Sequence, residues 1–135
     1  MITAVDSSVL LDVFTANRQF GATSREALRR ARQSGSLVAC EAVWAEVTAA
    51  FDDEQRASSE FERLGIVYAS LDRDAAQRSG LAWRAYRRAG GPRTRILADF
   101  LIGAHALTSA DRLLTRDRGF YRAYFGELEL LDPSV

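Results

Sequence analysis

The sequence contains no lysine, one histidine (His105) and one cysteine (Cys40). Each absence removes a class of chemistry. Without lysine there is no phosphate-binding P-loop and no lysine-dependent catalysis. One histidine cannot supply two imidazoles to a metal from a single chain. A Ser-His-Asp triad would have to recruit His105 from the middle of an apolar helical pattern, where a packed structural residue is the simpler reading. Cys40 has no partner for an internal disulfide and, within "SLVACEAV", reads as a small buried apolar side chain. Net charge is also missing: 18 basic residues balance 18 acidic ones, so no global field points to nucleic acid or membrane. The longest uncharged apolar run, Phe100 to Ala110, is too short to cross a bilayer, and "MITAVD" lacks the basic start of a signal peptide. The expectation is a cytoplasmic protein with no membrane association. Its 135 residues, 47% apolar and 27% charged, suit one folded domain over 1–135.

What is present alternates between two periods. "ITAV", "SLVAC", "IVYASL", "DRLLT" and "LELL" read as five short strands. Between them lie helical patterns. "DSSVLLDVFTA" opens on capping residues, and "TSREALRRARQSG" stops at Gly35. "EAVWAEVTAAF" runs on through "DDEQRASSEFERLG" to a stop at Gly65. "DRDAAQRSGLAWRAYRRAGG", "RILADFLIGAHALTSA" and "RGFYRAYFG" follow. Strands separated by helices imply an α/β fold, a mainly parallel five-stranded sheet covered on both faces. Sites on such sheets gather at the carboxyl ends of the strands, near the point where strand order reverses.

Acidic residues fall where that rule directs attention. Asp6 directly follows the first strand, and Asp117 lies just beyond "RLLT". Glu46 is in the helix after "LVAC", and Asp99 is in the helix before "RLLT", inside the otherwise apolar "ILADFLIGAHAL". A lone carboxylate in such a setting costs several kcal/mol unless it is compensated. Gly103 and Ala106, at i+4 and i+7 from Asp99, give its helix face small residues that permit close approach to a strand end. Four converging carboxylates repel one another, and a divalent cation relieves that repulsion. With oxygen ligands alone the hard ions Mg²⁺ or Mn²⁺ are expected. Bland readings compete at each position. Asp6 could serve only as a helix cap, Glu41 could replace Glu46, Asp99 could simply be tolerated in its helix, and Asp117 could be a turn residue. Asp12 and Asp111 read as surface and turn residues. Ser7 and Thr115 are hydroxyls beside the expected ligands, placed to orient them or to cap.

With these residues identified, the chain resembles the PIN-domain ribonucleases, specifically the VapC-type toxins of type II toxin–antitoxin systems. The resemblance runs over essentially the whole chain, through "VDSSVLLDVF", "AVWAEV", "RILADFLIGAHAL" and "DRLLTRDRGFYR". It implies a three-layer α/β/α sandwich, Mg²⁺- or Mn²⁺-dependent endoribonuclease activity through a metal-activated water, homodimerisation, and inhibition by a small cognate antitoxin. By motif position the acidic site carries over to Asp6, Glu46, Asp99 and Asp117. Of these, Asp6, Asp99 and Asp117 are expected to bind metal, with Glu46 completing the site. Thr115 matches the hydroxyl of a "TxD" element, and Ser7 matches the small polar residue after the first Asp. The departure is the absence of lysine, which leaves RNA contact to arginine.

For that contact, "WRAYRRAGGPRTR" supplies Arg84, Arg87, Arg88, Arg93 and Arg95 with Trp83 and Tyr86 interleaved, and Arg112, Arg116, Arg118 and Arg122 surround Asp117. Guanidinium groups hold phosphates, and aromatic rings stack on unpaired bases. A solvated helix face, with the aromatics in the core, is the alternative. The early helices carry apolar and aromatic residues that suit either ordinary packing or a groove for an antitoxin helix. A phospho-acceptor receiver domain would need a lysine, and an aspartate-nucleophile phosphatase would want an acid where Ser8 stands. The serious rival is a catalytically inactive PIN-like scaffold that binds RNA or protein.

Overall fold

Five parallel strands form the centre of the computed structural model, which describes residues 1–134. They are β1 (Ile2–Val5), β2 (Ser36–Ala39), β3 (Ile66–Tyr68), β4 (Arg112–Leu114) and β5 (Leu130–Leu131), in spatial order β3-β2-β1-β4-β5. Ala4 pairs with Val38 on one side and Leu113 on the other, so the first strand lies at the middle of the sheet. Consecutive residues Thr3, Ala4 and Val5 are all buried, as are Leu37, Val38 and Ala39, which requires cover on both sheet faces. This is the α/β/α sandwich expected from the sequence. The cover comes from α1 (Ser7–Phe14) and α2 (Gly21–Gln33) between β1 and β2, and from α3 (Glu41–Thr48) and α4 (Glu54–Leu64) between β2 and β3. Further along, α5 (Arg73–Arg88) and α6 (Leu97–Ser109) precede β4, and α7 (Arg118–Tyr124) precedes β5. No helix among the described residues is long and apolar enough to cross a membrane.

Helices α5 and α6 pack along an aromatic seam in which Phe100 meets Tyr86, Phe120 and Tyr124 at ring separations of 5.1 to 5.8 Å. Ser79, fully buried on α5, has its hydroxyl 2.8 Å from the Ala75 carbonyl and 3.1 Å from that of Phe100 across the seam. Gly103, one turn on from Phe100 in α6, meets Phe125. A Cβ there would overlap the ring of buried Phe125, so only glycine lets the helix sit this close to the segment after α7. Gly103→Ala is therefore expected to lower unfolding free energy by about 1–3 kcal/mol through overpacking, read as a lower urea midpoint at unchanged m.

Four boundaries differ from expectation. The helical pattern from Glu41 to Leu64 is interrupted: α3 ends at Thr48, and α4 begins afresh at Glu54. Asp53 causes the restart, since its carboxylate accepts the Gln55 N–H at 2.9 Å and caps α4. Gly65 ends α4 as expected, in the left-handed conformation at φ 74°. Strand β3 leaves the ladder after Tyr68, and β5 is two residues long. Helix α6 starts at Leu97, later than the periodicity implied, and this changes the surroundings of Asp99.

Candidate active site

The order β3-β2-β1-β4-β5 reverses direction between β1 and β4, and the two strands' carboxyl ends lie side by side there. Asp6 leaves β1 with its N–H still bonded to the Leu114 carbonyl at 3.0 Å. Its backbone holds the N-cap position of α1, but its side chain makes no capping bond to the helix. The carboxylate turns instead to Thr115, whose hydroxyl donates to Oδ2 at 2.7 Å and accepts the Asp117 N–H at 2.9 Å. On the other side the Ser7 hydroxyl donates to Glu46 Oε1 at 3.0 Å and stands 3.5 Å from Asp6 Oδ1. Two hydroxyls thus connect three acids, from Glu46 on α3 through Asp6 to Asp117 after β4.

The charges in this chain of groups are poorly compensated. Asp6 is only 6% exposed. Burial pushes its carboxyl up from 3.8 to about 6; the Thr115 bond opposes the rise, while the charges of Asp99 and Glu46 add to it. Glu46 moves up for the same first reason, opposed by its bond from Ser7 and aided by Asp99. The phenol of buried Tyr121 is held well above 10 by its burial, then by Asp6, Asp99 and Asp117 together. Tyr121 on α7 thus lies within reach of the acids' charge. The sequence offered only an aromatic in "GFYR", a pattern no different from core.

Asp99 has a partner that the sequence did not suggest. Because α6 begins at Leu97, Asp99 lies in the first helical turn, half-buried, and accepts the Ile96 N–H at 3.1 Å. The apolar run lies beyond it, so the helix N-terminus already favours its charge. The Asp117 carboxylate is bound by Arg95, whose guanidinium also lies over the Phe120 ring at 4.2 Å. That bond to Asp117 raises the Arg95 pKa. Among the described residues no three acidic, imidazole or thiol side chains stand close enough to hold an ion as placed. The donor chemistry nevertheless fits a hard divalent cation: the facing groups offer carboxylate and hydroxyl oxygens, and Asp6 carries a buried charge that lacks a cationic partner. Asp99 and Asp117 would have to exchange the Ile96 N–H and Arg95 for that ion.

The competing acids are placed elsewhere. Glu41 accepts the Leu71 N–H at 2.8 Å and ties down the segment after β3, leaving the position beside Ser7 to Glu46. Asp111 is a turn residue, accepting the Ile2 N–H at 2.6 Å. Asp12, expected at the surface, is buried: it accepts two bonds from Arg116, at 2.6 and 3.0 Å, and the Ser24 hydroxyl at 3.2 Å. His105 is buried inside α6, and desolvation lowers its pKa, as befits a packed neutral residue.

The arginines divide into two groups. Arg116 is committed to Asp12 and to the face of Phe20 at 4.0 Å, and Arg118 to Asp132 at 2.7 Å. Arg84, Arg87, Arg88 and Arg93 are exposed, and Arg87 lies over the Trp83 ring at 4.6 Å. Tyr86 is buried in the α5–α6 seam, whereas Trp83 is half-buried at the surface.

A family model described as PIN domain matches residues 3–126. No curated protein sequence gives a significant match. Solved structures with the same fold include VapBC2 from Rickettsia felis bound to a DNA fragment from their promoter, at TM-score 0.74 and 16% identity over 98% of both chains. VapBC-1 from nontypeable Haemophilus influenzae aligns over 100% of both chains at TM-score 0.73 and 18% identity. A toxin–antitoxin complex from Klebsiella pneumoniae aligns over 97% of each at TM-score 0.65 and 21% identity.

Proposed function

Because the chain belongs to the PIN domain family, we propose that it is a metal-dependent endoribonuclease and the toxin of a toxin–antitoxin pair. One observation carries the catalytic reading: buried Asp6, linked through Ser7 and Thr115 to Glu46 and Asp117 at the strand-order switch. Asp6, Asp99 and Asp117 are the residues that would hold Mg²⁺ or Mn²⁺. Such an ion supplies charge compensation and Lewis acidity for phosphodiester hydrolysis. The chain's own groups do the rest. Thr115 fixes the Asp6 carboxylate and the Asp117 backbone in one geometry. Ser7 holds Glu46 beside them, where its carboxylate accepts a proton from the attacking water. Exposed arginines of α5 and the following connection gather the RNA backbone. The toxin reading draws on the solved relatives, which are toxin–antitoxin assemblies by their descriptions. In this reading the protein acts in the cytoplasm as a homodimer of 1–135 domains. A small antitoxin helix covers the half-exposed aromatics Phe14 on α1, Trp44 on α3 and Phe51 in the connection after α3.

The test is incubation of cellular total RNA with purified, partner-free protein in Mn²⁺ or Mg²⁺, read by sequencing new 5′ ends. Discrete cuts are expected, and they should vanish with chelator and in Asp99→Asn. Asparagine keeps an acceptor for the Ile96 N–H, so α6 and the melting temperature should survive while the charge is lost. A folded Asp99→Asn protein that cuts as well as the parent would remove Asp99 from the site. Parent protein that neither cuts nor binds metal would leave the inactive scaffold as the better reading.

A further inference from the structure

Building on the ribonuclease reading, we propose that the cleft between the end of α5 and the connection into α6 is a subsite for one unpaired nucleobase of the RNA strand, adjoining the carboxylates. The cleft encloses about 420 Å³, within the range of small-molecule sites. Its walls are unlike those of an ordinary helix junction. Trp83 presents a half-buried indole with the exposed Arg87 guanidinium 4.6 Å from its ring centre, and both groups are of the kind that stack on bases. The same cleft is lined by Ile96 and Leu97, which are 53% and 38% exposed, large apolar side chains left in water. No carboxylate lines the cleft, while Arg87, Arg93 and Arg95 do.

Those arginines have different amounts of freedom. Arg87 and Arg93 make no ion pair among the described residues and are available to phosphate. Arg95 belongs to the cleft and also binds Asp117, so the stacking surface and the acidic cluster share a side chain. A strand whose phosphates follow Arg93 and Arg95 brings its backbone to the acids and leaves the neighbouring base facing Trp83. An apolar slot with a cationic rim suits a base and its phosphate. Double-stranded RNA cannot use it, because its bases are stacked and paired.

The experiment is fluorescence anisotropy with a 5′-labelled, unstructured twelve-nucleotide RNA in chelator, using the full chain and its Trp83→Ala, Trp83→Phe and Arg93→Ala variants. Trp83→Ala is expected to weaken binding about ten-fold, with its salt dependence unchanged, and Trp83→Phe to restore most of the loss. Arg93→Ala should flatten the salt dependence instead. Affinity for a blunt RNA duplex should not respond to Trp83. Should Trp83→Ala melt early, the unmodified protein serves: a 5-iodouridine in the same RNA should photo-crosslink to the tryptic peptide 79–84, which contains Trp83. Unchanged single-strand affinity in a folded Trp83→Ala protein, equal loss for the duplex, or crosslinks only elsewhere would each overturn the subsite. A change in sedimentation with RNA affinity intact would assign the cleft to a protein contact and overturn it as well. The two readings fail separately. Trp83-dependent binding by a protein that cuts no RNA keeps the subsite and removes the nuclease, and metal-dependent cutting indifferent to Trp83 does the reverse.

Discussion

Replacing Asp6 with asparagine is expected to raise unfolding free energy in chelator at pH 7.5 by about 3 kcal/mol and to abolish RNA cleavage. The stability gain follows from linkage. The Asp6 carboxyl titrates near 6 in the folded chain, against 3.8 for the free side chain. Between those values the folded protein holds a proton that the unfolded chain has already released. Stability from this group is therefore fully present below about pH 4, declines as pH rises through 6, and stays lost above it. A rise from 3.8 to about 6 corresponds to about 3 kcal/mol, an upper figure because the new amide must also find partners. Asparagine is suited to do so: its carbonyl can take the Thr115 hydroxyl, and its amide can donate to the Ser7 oxygen, which stands 3.5 Å from the present carboxylate. Urea titrations from pH 3 to 8 check both the size and the shape. The two proteins should coincide at low pH and separate as pH rises, and parallel curves would show that Asp6 is not the destabilising group.

The same substitution separates stability from function. If the carboxylate is kept buried and charged for a cation, Mn²⁺ should stabilise the parent and leave Asp6→Asn unmoved. A ligand at a hundred times its dissociation constant adds about 2.7 kcal/mol, enough to close most of the gap between the two proteins. A gain in stability accompanied by loss of cleavage is the signature of a group that folding tolerates and catalysis requires.

Much of this organisation was legible in the sequence because it depends on periods and chain order. The five strands and the positions of Asp6 and Asp117 after β1 and β4 follow from short apolar runs and the rule that sites collect at strand ends. Orientation was harder to read, because it depends on where helices begin. A two-residue difference in the start of α6 moved Asp99 from an apolar interior to a first turn, where its carboxylate accepts the Ile96 N–H. Asp53 restarted a helix that hydrophobic spacing alone would have continued. Tyr121 and the Asp12–Arg116 pair were illegible for a different reason. Each depends on contacts between residues far apart in the chain, and nothing local distinguishes a buried ion pair from two surface charges.

That pair gives the second large effect. Arg116→Ala is expected to cost about 3 kcal/mol, measured by urea denaturation, while leaving the salt dependence of RNA binding unchanged. Arg116 holds both oxygens of Asp12, whose side chain is 5% exposed, and covers Phe20 with the same guanidinium. Truncation leaves a buried carboxylate with only the Ser24 hydroxyl, and breaking a buried pair in this way costs about 3–5 kcal/mol. The lower end applies because Arg116 is itself 29% exposed and partly screened by water. Lysine should not rescue the loss, since it lacks the planar fork that meets both oxygens. Adding Asp12→Asn to Arg116→Ala should recover part of it by removing the stranded charge, and that recovery identifies the penalty as electrostatic. An RNA-contacting Arg116 would behave in the opposite way, with little change in stability and a shallower salt slope. The pair also fixes the segment that carries Thr115 and Asp117, so the cost of truncation measures how firmly α1 and the end of β4 hold one half of the acidic cluster in place.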